Sequence, residues 1–317
     1  HRAGGLTEAR APCYIDLITV FTRPRVVATY LVTGGAGFIG SNLVAALVEQ
    51  GHQVRVLDNF STGRRENLAE VERSIECIEG DIACLETVRQ AMRGVTCVLH
   101  QAAQVNVCDS IRDPIQTNHT NVQGTLNVLA AARDAGVGRV VCASSCAVYG
   151  NNPELPKRED TSLAPASPYA VSKVCADLYA RAFAELYGLE TVVLRYFNVF
   201  GPRQASGSRY AAVIPKFITA FAQGKPPTIH GDGEQTRDFV YVSDVVAANL
   251  QAAAAADLKG EILNIGSGGP RSILEVARLL GRIMGCALEP LHTEPRPGEV
   301  RHSHADISKA QRLLDYR

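Results

Sequence analysis

Short apolar runs alternate with longer amphipathic segments from Val26 onward. The runs VVATYLVTG, QVRVLD, SIECIEGD, VTCVLHQAA and RVVCASS are rich in β-branched residues and have the length of buried strands. The segments 38–50 and 121–135, which lie between them, have the spacing of amphipathic helices. Strands that alternate with helices predict an α/β fold with a doubly wound, mostly parallel sheet. Ligands of such sheets bind at the carboxyl ends of the strands.

The alternation loosens after the run TVVLRYFNVFGP, where glycine and proline interrupt the regular segments. We interpret this part as a smaller C-terminal α/β domain, with one helix and one strand returning to the first domain. The predicted first domain comprises residues 25–197 and 243–265, and the second comprises residues 198–242 and 266–317. Residues 1–24 are an extension to which we assign no role.

The composition is typical of a globular protein, with 46% hydrophobic and 20% charged residues. Lysine plus arginine equals aspartate plus glutamate at 32 each, so no broad basic surface is expected for nucleic acid or an anionic membrane. No apolar run approaches the roughly 20 residues that a membrane-spanning helix needs. We therefore expect neither nucleic acid nor a membrane among the partners.

Nine cysteines are scattered along the chain without a C-x-x-C pair. An odd number of cysteines, most of them in apolar runs, is typical of reduced thiols and predicts a cytoplasmic protein rather than a disulfide framework. His302 and His304 come nearest to a metal-binding motif. Because no cysteine or carboxylate at ligand spacing accompanies them, we expect no metal.

The run LVTGGAGFIGSN places Gly34, Gly37 and Gly40 between a predicted strand and a predicted helix. Such glycines permit a tight turn and let the backbone approach a pyrophosphate at the helix N-terminus. The next predicted strand ends in Asp58, where a carboxylate accepts hydrogen bonds from ribose hydroxyls. Because a carboxylate repels a 2′-phosphate, the motif favours NAD over NADP.

Two later strand ends extend this predicted dinucleotide site. Asp81 and Ile82 follow the third strand, where an adenine edge is read, and Ala102 and Ala103 follow the fourth, where small side chains admit a ring system. The arginine pair at 64–65 could serve NADP, although the start of a solvated helix explains it better. The sequence therefore predicts one NAD molecule along the carboxyl edge of the sheet.

Tyr169 and Lys173 stand four residues apart in the run SPYAVSK and share one face of a predicted helix. The spacing by itself also fits a solvated face. In the functional interpretation, Lys173 lowers the pKa of Tyr169, since a nearby positive charge favours the phenolate. Moving a tyrosine pKa from about 10 to near 7 requires about 4 kcal/mol of differential stabilisation. Ser145, at the carboxyl end of the fifth predicted strand, supplies a second hydroxyl for a substrate alcohol.

Taken in order, these motifs resemble the extended short-chain dehydrogenases/reductases, which have a Rossmann fold, and among them the UDP-hexose 4-epimerases. The matching runs are GGAGFIG, DNFSTG, GDI, HQAA, NVQGT, SSCAVYG, YAVSK, RYFNVFGPRQ, GDGEQTRDFVYV and RPGEVRHSHAD. The resemblance implies that Tyr169 removes the proton of the sugar 4-hydroxyl, with Ser145 as relay, and that a 4-keto sugar turns before it is reduced. It also implies a homodimer that pairs through the helices holding Asn121 and Tyr169.

The resemblance assigns the binding positions residue by residue. The positions that match the NAD-binding residues of the family are Gly34, Gly37, Phe38, Ile39, Gly40, Asp58, Asn59, Asp81, Ile82, Ala102, Ala103, Tyr169 and Lys173. The positions that match its UDP-sugar-binding residues are Ser145, Asn198, Gln204, Ala212, Arg237, Arg296, Glu299 and Ser303. Glu299 stands where these enzymes often have Asp, and it is expected on the uridine ribose, whereas Asn198, Arg237 and Arg296 are expected on the diphosphate.

Three positions bear on the reaction and the substrate. Cys146 and Ala147 follow Ser145, where related dehydratases carry an Asp-Glu pair and decarboxylases usually carry a Glu. Neither residue can act as the extra acid or base, which disfavours both reactions. Ser303 matches a position where enzymes restricted to UDP-glucose and UDP-galactose tend to carry Tyr, so we expect room for a 2-N-acetyl group.

Two other classes of function stay open at this point. One is a different NAD-dependent reaction on a nucleotide sugar, namely dehydration, decarboxylation or epimerisation of UDP-glucuronate. The other is a sensor that binds NAD without turnover, because a fold alone does not establish activity. The intact set of Ser145, Tyr169 and Lys173 argues against the sensor, which needs none of the three.

Overall fold

The computed structural model describes residues 28–205, 212–286, 288–295 and 300–317. Seven strands form its main sheet: β1 (Thr29–Thr33), β2 (Gln53–Asp58), β3 (Ile75–Glu79), β4 (Cys97–His100), β5 (Arg139–Ser145), β6 (Glu190–Tyr196) and β10 (Glu261–Ile265). All are parallel, in the order β10-β6-β5-β4-β1-β2-β3. The predicted doubly wound parallel sheet is confirmed.

Helices cover both faces of this sheet. The helices of the described residues are α1 (Phe38–Glu49), α2 (Leu85–Ala91), α3 (Val107–Arg112), α4 (Pro114–Asn118), α5 (Gly124–Asp134), α6 (Pro168–Tyr187), α7 (Val213–Ala222), α8 (Val242–Ala254), α9 (Ile273–Ile283) and α10 (Ser308–Leu314). A π-helical turn at His119–Gln123 joins α4 to α5, and a 3-10 turn at Cys146–Tyr149 follows β5. Helices α1 and α8 pack on one face, and α2, α5 and α6 pack on the other.

The strands are apolar runs because both of their faces are buried. Leu31 and Val32 are neighbours in β1, both are fully buried, and they belong to separate apolar clusters on opposite faces of the sheet. Successive side chains of a strand point to opposite faces, so a sheet covered on both sides needs apolar residues at consecutive positions. This requirement explains why the runs read from the sequence lack polar alternation.

The order of the strands reverses between β1 and β4. The chain moves outward from β1 to β2 and β3, then crosses back to β4 and continues through β5 and β6. At such a reversal the loops after the two central strands diverge and leave a crevice at their carboxyl ends. The glycine-rich run after β1 and the HQAA run after β4 border this crevice.

A smaller group of strands lies beside the main sheet: β7 (Asn198–Phe200), β8 (Thr228–His230), β9 (Thr236–Tyr241), β11 (Pro270–Ser272), β12 (Leu291–Thr293) and β13 (His302–Ser303). Strand β9 pairs with β7, β11 and β13, and β8 pairs with β12. Helices α7 and α9 pack together around Phe217 and Phe221. We propose the two-part division predicted above, except that α10 packs against β10 and α8 and so belongs with the main sheet.

Candidate active site

The turn from β1 to α1 requires glycine at two positions. Gly34 has a φ of +68°, and a Cβ at Gly34 would lie 2.7 Å from backbone atoms of Ala102. A Cβ at Gly40 would lie 2.1 Å from the carbonyl oxygen of Gly34. Helix α1 then begins without a side-chain cap and without an acidic residue in its first turn. Its first N–H groups therefore face the crevice without a side-chain acceptor, which suits a phosphate.

Asp58 ends β2 with a carboxylate that the backbone fixes in place. Its Oδ2 accepts a hydrogen bond from the N–H of Ala36 at 2.9 Å, and its Oδ1 accepts one from the N–H of Phe60 at 2.8 Å. A Cβ at Gly63 would lie 2.9 Å from both carboxylate oxygens, so this glycine keeps the space beside them open. An oriented carboxylate next to a glycine turn fits the ribose of a dinucleotide.

One of the two arginines that could have served a 2′-phosphate is engaged elsewhere. The guanidinium carbon of Arg65 lies 4.1 Å from the ring centroid of Phe60, and Arg65 forms an ion pair with Glu79. A guanidinium that is stacked and paired in this way is not aimed at the ribose position beside Asp58. The residues of this region therefore fit NAD better than NADP.

One cavity of about 530 Å³ runs along the carboxyl edge of the sheet. Its lining contains every position matched to NAD binding, together with Ser145. It also contains residues that the sequence analysis did not single out, among them Gln101, Gln104, Ala143, Ser144, Tyr196 and Phe197. Gln101 follows β4 inside the HQAA run, so its position at a strand end could have identified it. Ala143, Ser144, Tyr196 and Phe197 likewise lie at or directly after the carboxyl ends of β5 and β6, so the same signal could have found them.

Ser145, Tyr169 and Lys173 meet at one wall of this cavity. Ser145 is the last residue of β5, and its Oγ accepts a hydrogen bond from the N–H of Ala147 at 3.2 Å. Helix α6 starts at Pro168 after the N-cap Ser167, which places Tyr169 and Lys173 in its first two turns against β5. The Nζ of Lys173 donates a hydrogen bond to the carbonyl oxygen of Ala143 at 2.9 Å, which fixes the ammonium group near the end of that strand.

Burial controls the protonation of these groups. Burial raises the pKa of Tyr169 to about 12, although the Ser145 hydroxyl acts to lower it. Burial also lowers the pKa of Lys173 to about 8, against the opposing effect of Asp177. Lys173 is not among the groups that shift the pKa of Tyr169. Without cofactor, loss of water around the phenol outweighs the other effects on its pKa. The lowering of this pKa by Lys173 together with the positive nicotinamide ring stays a prediction.

Cys146 connects the cavity to the smaller sheet. Its thiol interacts with the hydroxyls of Ser145 and Ser303, and the charge of Arg237 acts on it. Burial nevertheless raises the pKa of Cys146 to about 11, so the side chain is a neutral thiol near pH 7. With Ala147 beside it, the position after Ser145 offers no acid or base for elimination or decarboxylation.

Three of the residues matched to UDP-sugar binding share the smaller sheet. Ser303 of β13 pairs with Arg237 of β9, and Asn198 of β7 pairs with Phe239 of the same strand. The Nη1 of Arg237 donates hydrogen bonds to the carbonyl oxygens of Thr236 and Arg301. These residues lie outside the cavity lining, on the sheet next to Cys146.

Of the remaining matched positions, Gln204 and Ala212 do not line the cavity. The Nε2 of Gln204 donates to the carbonyl oxygen of Val199 at 3.0 Å, and Ala212 is the exposed residue before α7. Arg296 and Glu299 lie outside the described residues. The structure thus unites the predicted cofactor and catalytic positions in one cavity. Among the described substrate positions, Ser145 lines this cavity and the others do not.

Within residues 28–205, 212–286, 288–295 and 300–317, no cluster of three or more His, Cys, Asp or Glu side chains is arranged to hold a metal ion. Within the same ranges, none of the helices combines the length and the apolar character needed to cross a bilayer.

The chain is similar to known proteins over almost its whole length. Residues 30–266 match the model of the NAD dependent epimerase/dehydratase family. A putative UDP-glucose 4-epimerase of Methanocaldococcus jannaschii is 41% identical over 285 residues, which are 89% of this chain and 91% of that protein. A UDP-N-acetyl-alpha-D-glucosaminuronate decarboxylase of Bacillus cytotoxicus is 38% identical over 300 residues, 90% of this chain and 91% of that one.

A solved structure shows the same fold. The UDP-N-acetylglucosamine 4-epimerase of Methanobrevibacter ruminantium, in complex with UDP-N-acetylmuramic acid, superposes with a TM-score of 0.88 at 37% identity, over 92% of this chain and 93% of that one. With the family model, the sequence relatives and this structure in agreement, the chain belongs to the NAD dependent epimerase/dehydratase family.

Proposed function

We propose that this protein is an NAD-dependent UDP-sugar 4-epimerase, an isomerase. The observation that carries the proposal is the placement of Ser145, Tyr169 and Lys173 on the same cavity as the glycine turn and Asp58, with Cys146 and Ala147 as the next residues after Ser145. The site therefore has the groups for a reversible alcohol oxidation and lacks the extra acid or base for elimination. A decarboxylase is 38% identical to this chain, so overall sequence identity does not distinguish the reactions of the family. The residues that follow Ser145 do.

The residues that would hold the cofactor are those of the β1–α1 turn for the pyrophosphate and Asp58 for a ribose. NAD supplies, when bound, an acceptor for a hydride from the substrate and the same hydride for its return. Tyr169 takes the proton of the sugar 4-hydroxyl and later gives it back. Ser145 hydrogen-bonds to the same oxygen, and Lys173 holds a positive charge within the site. Epimerisation requires the 4-keto sugar to expose its opposite face, so the nucleotide must be held firmly and the sugar loosely.

Because the pKa of Tyr169 is raised, the binding of cofactor and substrate must lower it before Tyr169 can act as a base. Taking this pKa from about 12 to near 7 requires on the order of 7 kcal/mol of differential stabilisation of the phenolate. Lys173 and the positively charged ring of oxidised NAD are the sources of positive charge available to the site. Tyr169 is thus expected to stay a neutral phenol until cofactor and substrate bind, which limits unproductive proton transfer.

The substrates we propose are the UDP-N-acetylhexoses, with UDP-glucose and UDP-galactose as further substrates. Ser303 supports this choice, because a small hydroxyl side chain lies next to the Cys146 thiol where a tyrosine would fill the space. The similar solved structure, a UDP-N-acetylglucosamine 4-epimerase, supports the same choice. Asn198, Gln204, Ala212, Arg237, Arg296 and Glu299 are proposed to hold the nucleotide and sugar together with Ser303.

We also infer a homodimer. Helices α3, α4 and α6 pack against one another and present apolar side chains to solvent. These include Ile111 at 63%, Ile115 at 81%, Val171 at 48% and Leu178 at 56% exposure. Val171 and Leu178 lie two turns apart on one side of α6, so the exposed residues form a stripe and not isolated positions. A second copy of the chain, pairing through the same helices, would cover this stripe.

A reducing compartment, such as the cytoplasm, fits the cysteines. Every cysteine in the described ranges is a free thiol, including the buried Cys97 and Cys142. Disulfides are rare where thiols are kept reduced, and a protein with this many unpaired cysteines is suited to such conditions. We therefore propose a cytoplasmic location.

The proposal is tested by product analysis. Purified protein given UDP-N-acetylglucosamine is expected to form UDP-N-acetylgalactosamine without added reductant, as resolved by chromatography or NMR. Tyr169→Phe is expected to lower the rate by at least about a hundredfold, because it removes the proton acceptor. Tyr179→Phe is the matched control, since Tyr179 lies on the same helix and is 38% exposed. It is expected to keep full activity.

Other results would reject the proposal. A dehydrated or decarboxylated product would place the protein with the other members of the family, and recovery of each UDP-hexose and UDP-N-acetylhexose unchanged would remove the epimerase assignment. Full activity in folded Tyr169→Phe would show that the proton is taken by a different group.

A further inference from the structure

A buried ion pair lies behind Lys173. The Nε of Arg195 donates a hydrogen bond to Asp177 Oδ2 at 2.9 Å, and the two side chains are 3% and 1% exposed. Asp177 follows Lys173 by four residues on α6, so both side chains project from the same face of the helix. Asp177 does not line the cavity, whereas Lys173 does.

The second oxygen of Asp177 is not used by arginine. Within the described residues, Asp177 Oδ1 and Ser144 Oγ are both buried and lack a hydrogen-bond partner. The Ser144 hydroxyl lies beside Asp177 and acts to lower the pKa of that carboxyl group. Burial raises the pKa of Asp177 above its usual range, and the charges of Arg195 and Lys173 act to lower it. Asp177 therefore interacts with two residues that line the cavity, Ser144 and Lys173.

Several titratable groups surround Lys173. The titratable groups that face it are Asp177 on α6, Cys142 on β5 and His100 on β4, and Tyr169 lies one turn earlier on α6. Burial raises the pKa of Cys142 to about 12 and lowers that of His100 to about 3, so both are neutral near pH 7. Tyr169 is likewise a neutral phenol. Among these described neighbours, Asp177 is the one that can carry a negative charge.

We propose that Asp177 is a positioning residue whose carboxylate, held by Arg195, keeps Lys173 in its ammonium form at neutral pH. A lysine as buried as Lys173 loses its proton readily unless an opposite charge lies nearby. Arg195, on β6, favours the ionised form of the Asp177 carboxylate and holds that group in place on α6. The negative charge of Asp177 thus interacts with the positive charges of both Arg195 and Lys173. The use of this ammonium charge at Tyr169 rests on the proposed function, but the charge state of Lys173 does not.

The experiment measures the charge of Lys173 directly in the full chain. The protein is labelled with lysine carrying carbon-13 at Cε, the Lys173 signal is assigned with Lys173→Met, and its shift is followed against pH. In Asp177→Asn the titration of Lys173 is expected to move to lower pH by about one unit or more. The alkaline limb of the pH profile of kcat/KM is expected to move in the same direction.

Glu190→Gln provides the matched control. Glu190 pairs with Arg139 at the start of β5 and β6, the strands that end near Ser145 and carry Arg195. This variant also takes the carboxylate from a carboxylate–arginine pair, but at the end of the strands opposite to Lys173, which bonds to Ala143. Its Lys173 signal is expected to titrate as in the unaltered protein, and Asp177→Glu, which keeps the carboxylate, is expected to do the same.

The outcomes separate the two proposals. A folded Asp177→Asn protein in which Lys173 titrates at its original pH overturns the inference. If that variant does not fold, Asp177→Asn combined with Arg195→Gln also removes the guanidinium that lost its partner, and it carries the same expectation for Lys173. A shifted Lys173 titration in a protein that epimerises no UDP-sugar would reject the proposed function and leave the role of Asp177 intact.

Discussion

His100, the last residue of β4, is held by hydrogen bonds to both of its ring nitrogens. Thr125 Oγ1 donates its proton to the carbonyl oxygen of Asn121 at 2.6 Å, so it accepts from His100 Nε2 at 3.0 Å. His100 Nδ1 then accepts from Thr33 Oγ1 at 2.7 Å. The network assigns the proton to Nε2, and a second proton, on Nδ1, would remove the acceptor of the Thr33 hydroxyl proton.

This arrangement predicts an acid-sensitive contribution to stability. The pKa of His100 is lowered to about 3 by burial and by the charge of Lys173, whereas it is about 6.5 in the unfolded chain. As the pH falls, His100 is therefore protonated at a higher pH in the unfolded state than in the folded state. The contribution of His100 is fully present above pH 6.5 and is lost as the pH falls toward 3, by about 2 kcal/mol at pH 5.

Urea unfolding at pH 7.5 and pH 5 measures this effect. His100→Gln can still bond to both threonines but cannot titrate, so its stability is expected to fall less between the two pH values than that of the unaltered protein. His292→Gln, at an exposed position, is expected to keep the original pH dependence. Equal losses in the His100 variant and the unaltered protein would contradict the assignment.

At the scale of elements, the start of α6 determines where Tyr169 lies. Ser167 Oγ accepts a hydrogen bond from the N–H of Ala170 at 3.2 Å, and Pro168 occupies the first helical position. Both features set the beginning of the helix and thus the turn on which Tyr169 projects. Gly188, with a φ of 73°, ends the same helix in the left-handed conformation.

Ser167→Ala is expected to lower the free energy of unfolding by about 1 kcal/mol, because an N–H loses its acceptor. It is also expected to lower kcat by at least about threefold, since the turn that carries Tyr169 loosens. Thermal unfolding and initial rates measure the two effects. Ser272→Ala is the matched control, because Ser272 caps α9 in a capping box with Glu275.

The control separates stability from position. Ser272→Ala is expected to cost a similar amount of stability and to leave kcat unchanged, since α9 carries no residue of the cavity lining. Unchanged kcat in Ser167→Ala would mean that Pro168 and packing alone position Tyr169.

At the scale of the whole molecule, the proposed homodimer depends on the apolar stripe of α3, α4 and α6. Leu178→Glu is expected to shift the protein to monomers at micromolar concentration, because a charge would be buried without a partner. Ile283→Glu is the control, since Ile283 is 71% exposed on α9 and lies outside the stripe. Light scattering coupled to size-exclusion chromatography measures both. A monomeric unaltered protein, or a dimer that survives Leu178→Glu, would rule out this face.

Local features were predictable because their causes are local. The alternation of strands and helices, the glycines after β1 and the acid at the end of β2 follow from backbone sterics and side-chain polarity over a few residues. The predicted helix at 38–50 corresponds to α1 at Phe38–Glu49, and the predicted strand RVVCASS is β5. Residues at the carboxyl ends of adjacent parallel strands share one edge, so the cofactor and catalytic positions could be grouped from the sequence alone.

The fold class, the family and the residues along the strand ends could therefore be predicted from the sequence alone. The protonation of Tyr169, the pairing of Asp177 with Arg195 and the neighbourhood of Cys146 and Ser303 could not, because they depend on the folded chain. The physical reason is that desolvation and charge interactions depend on every group packed around a side chain. Those groups come from distant parts of the chain. The spacing of residues in the sequence therefore does not show how completely a side chain is shielded from water.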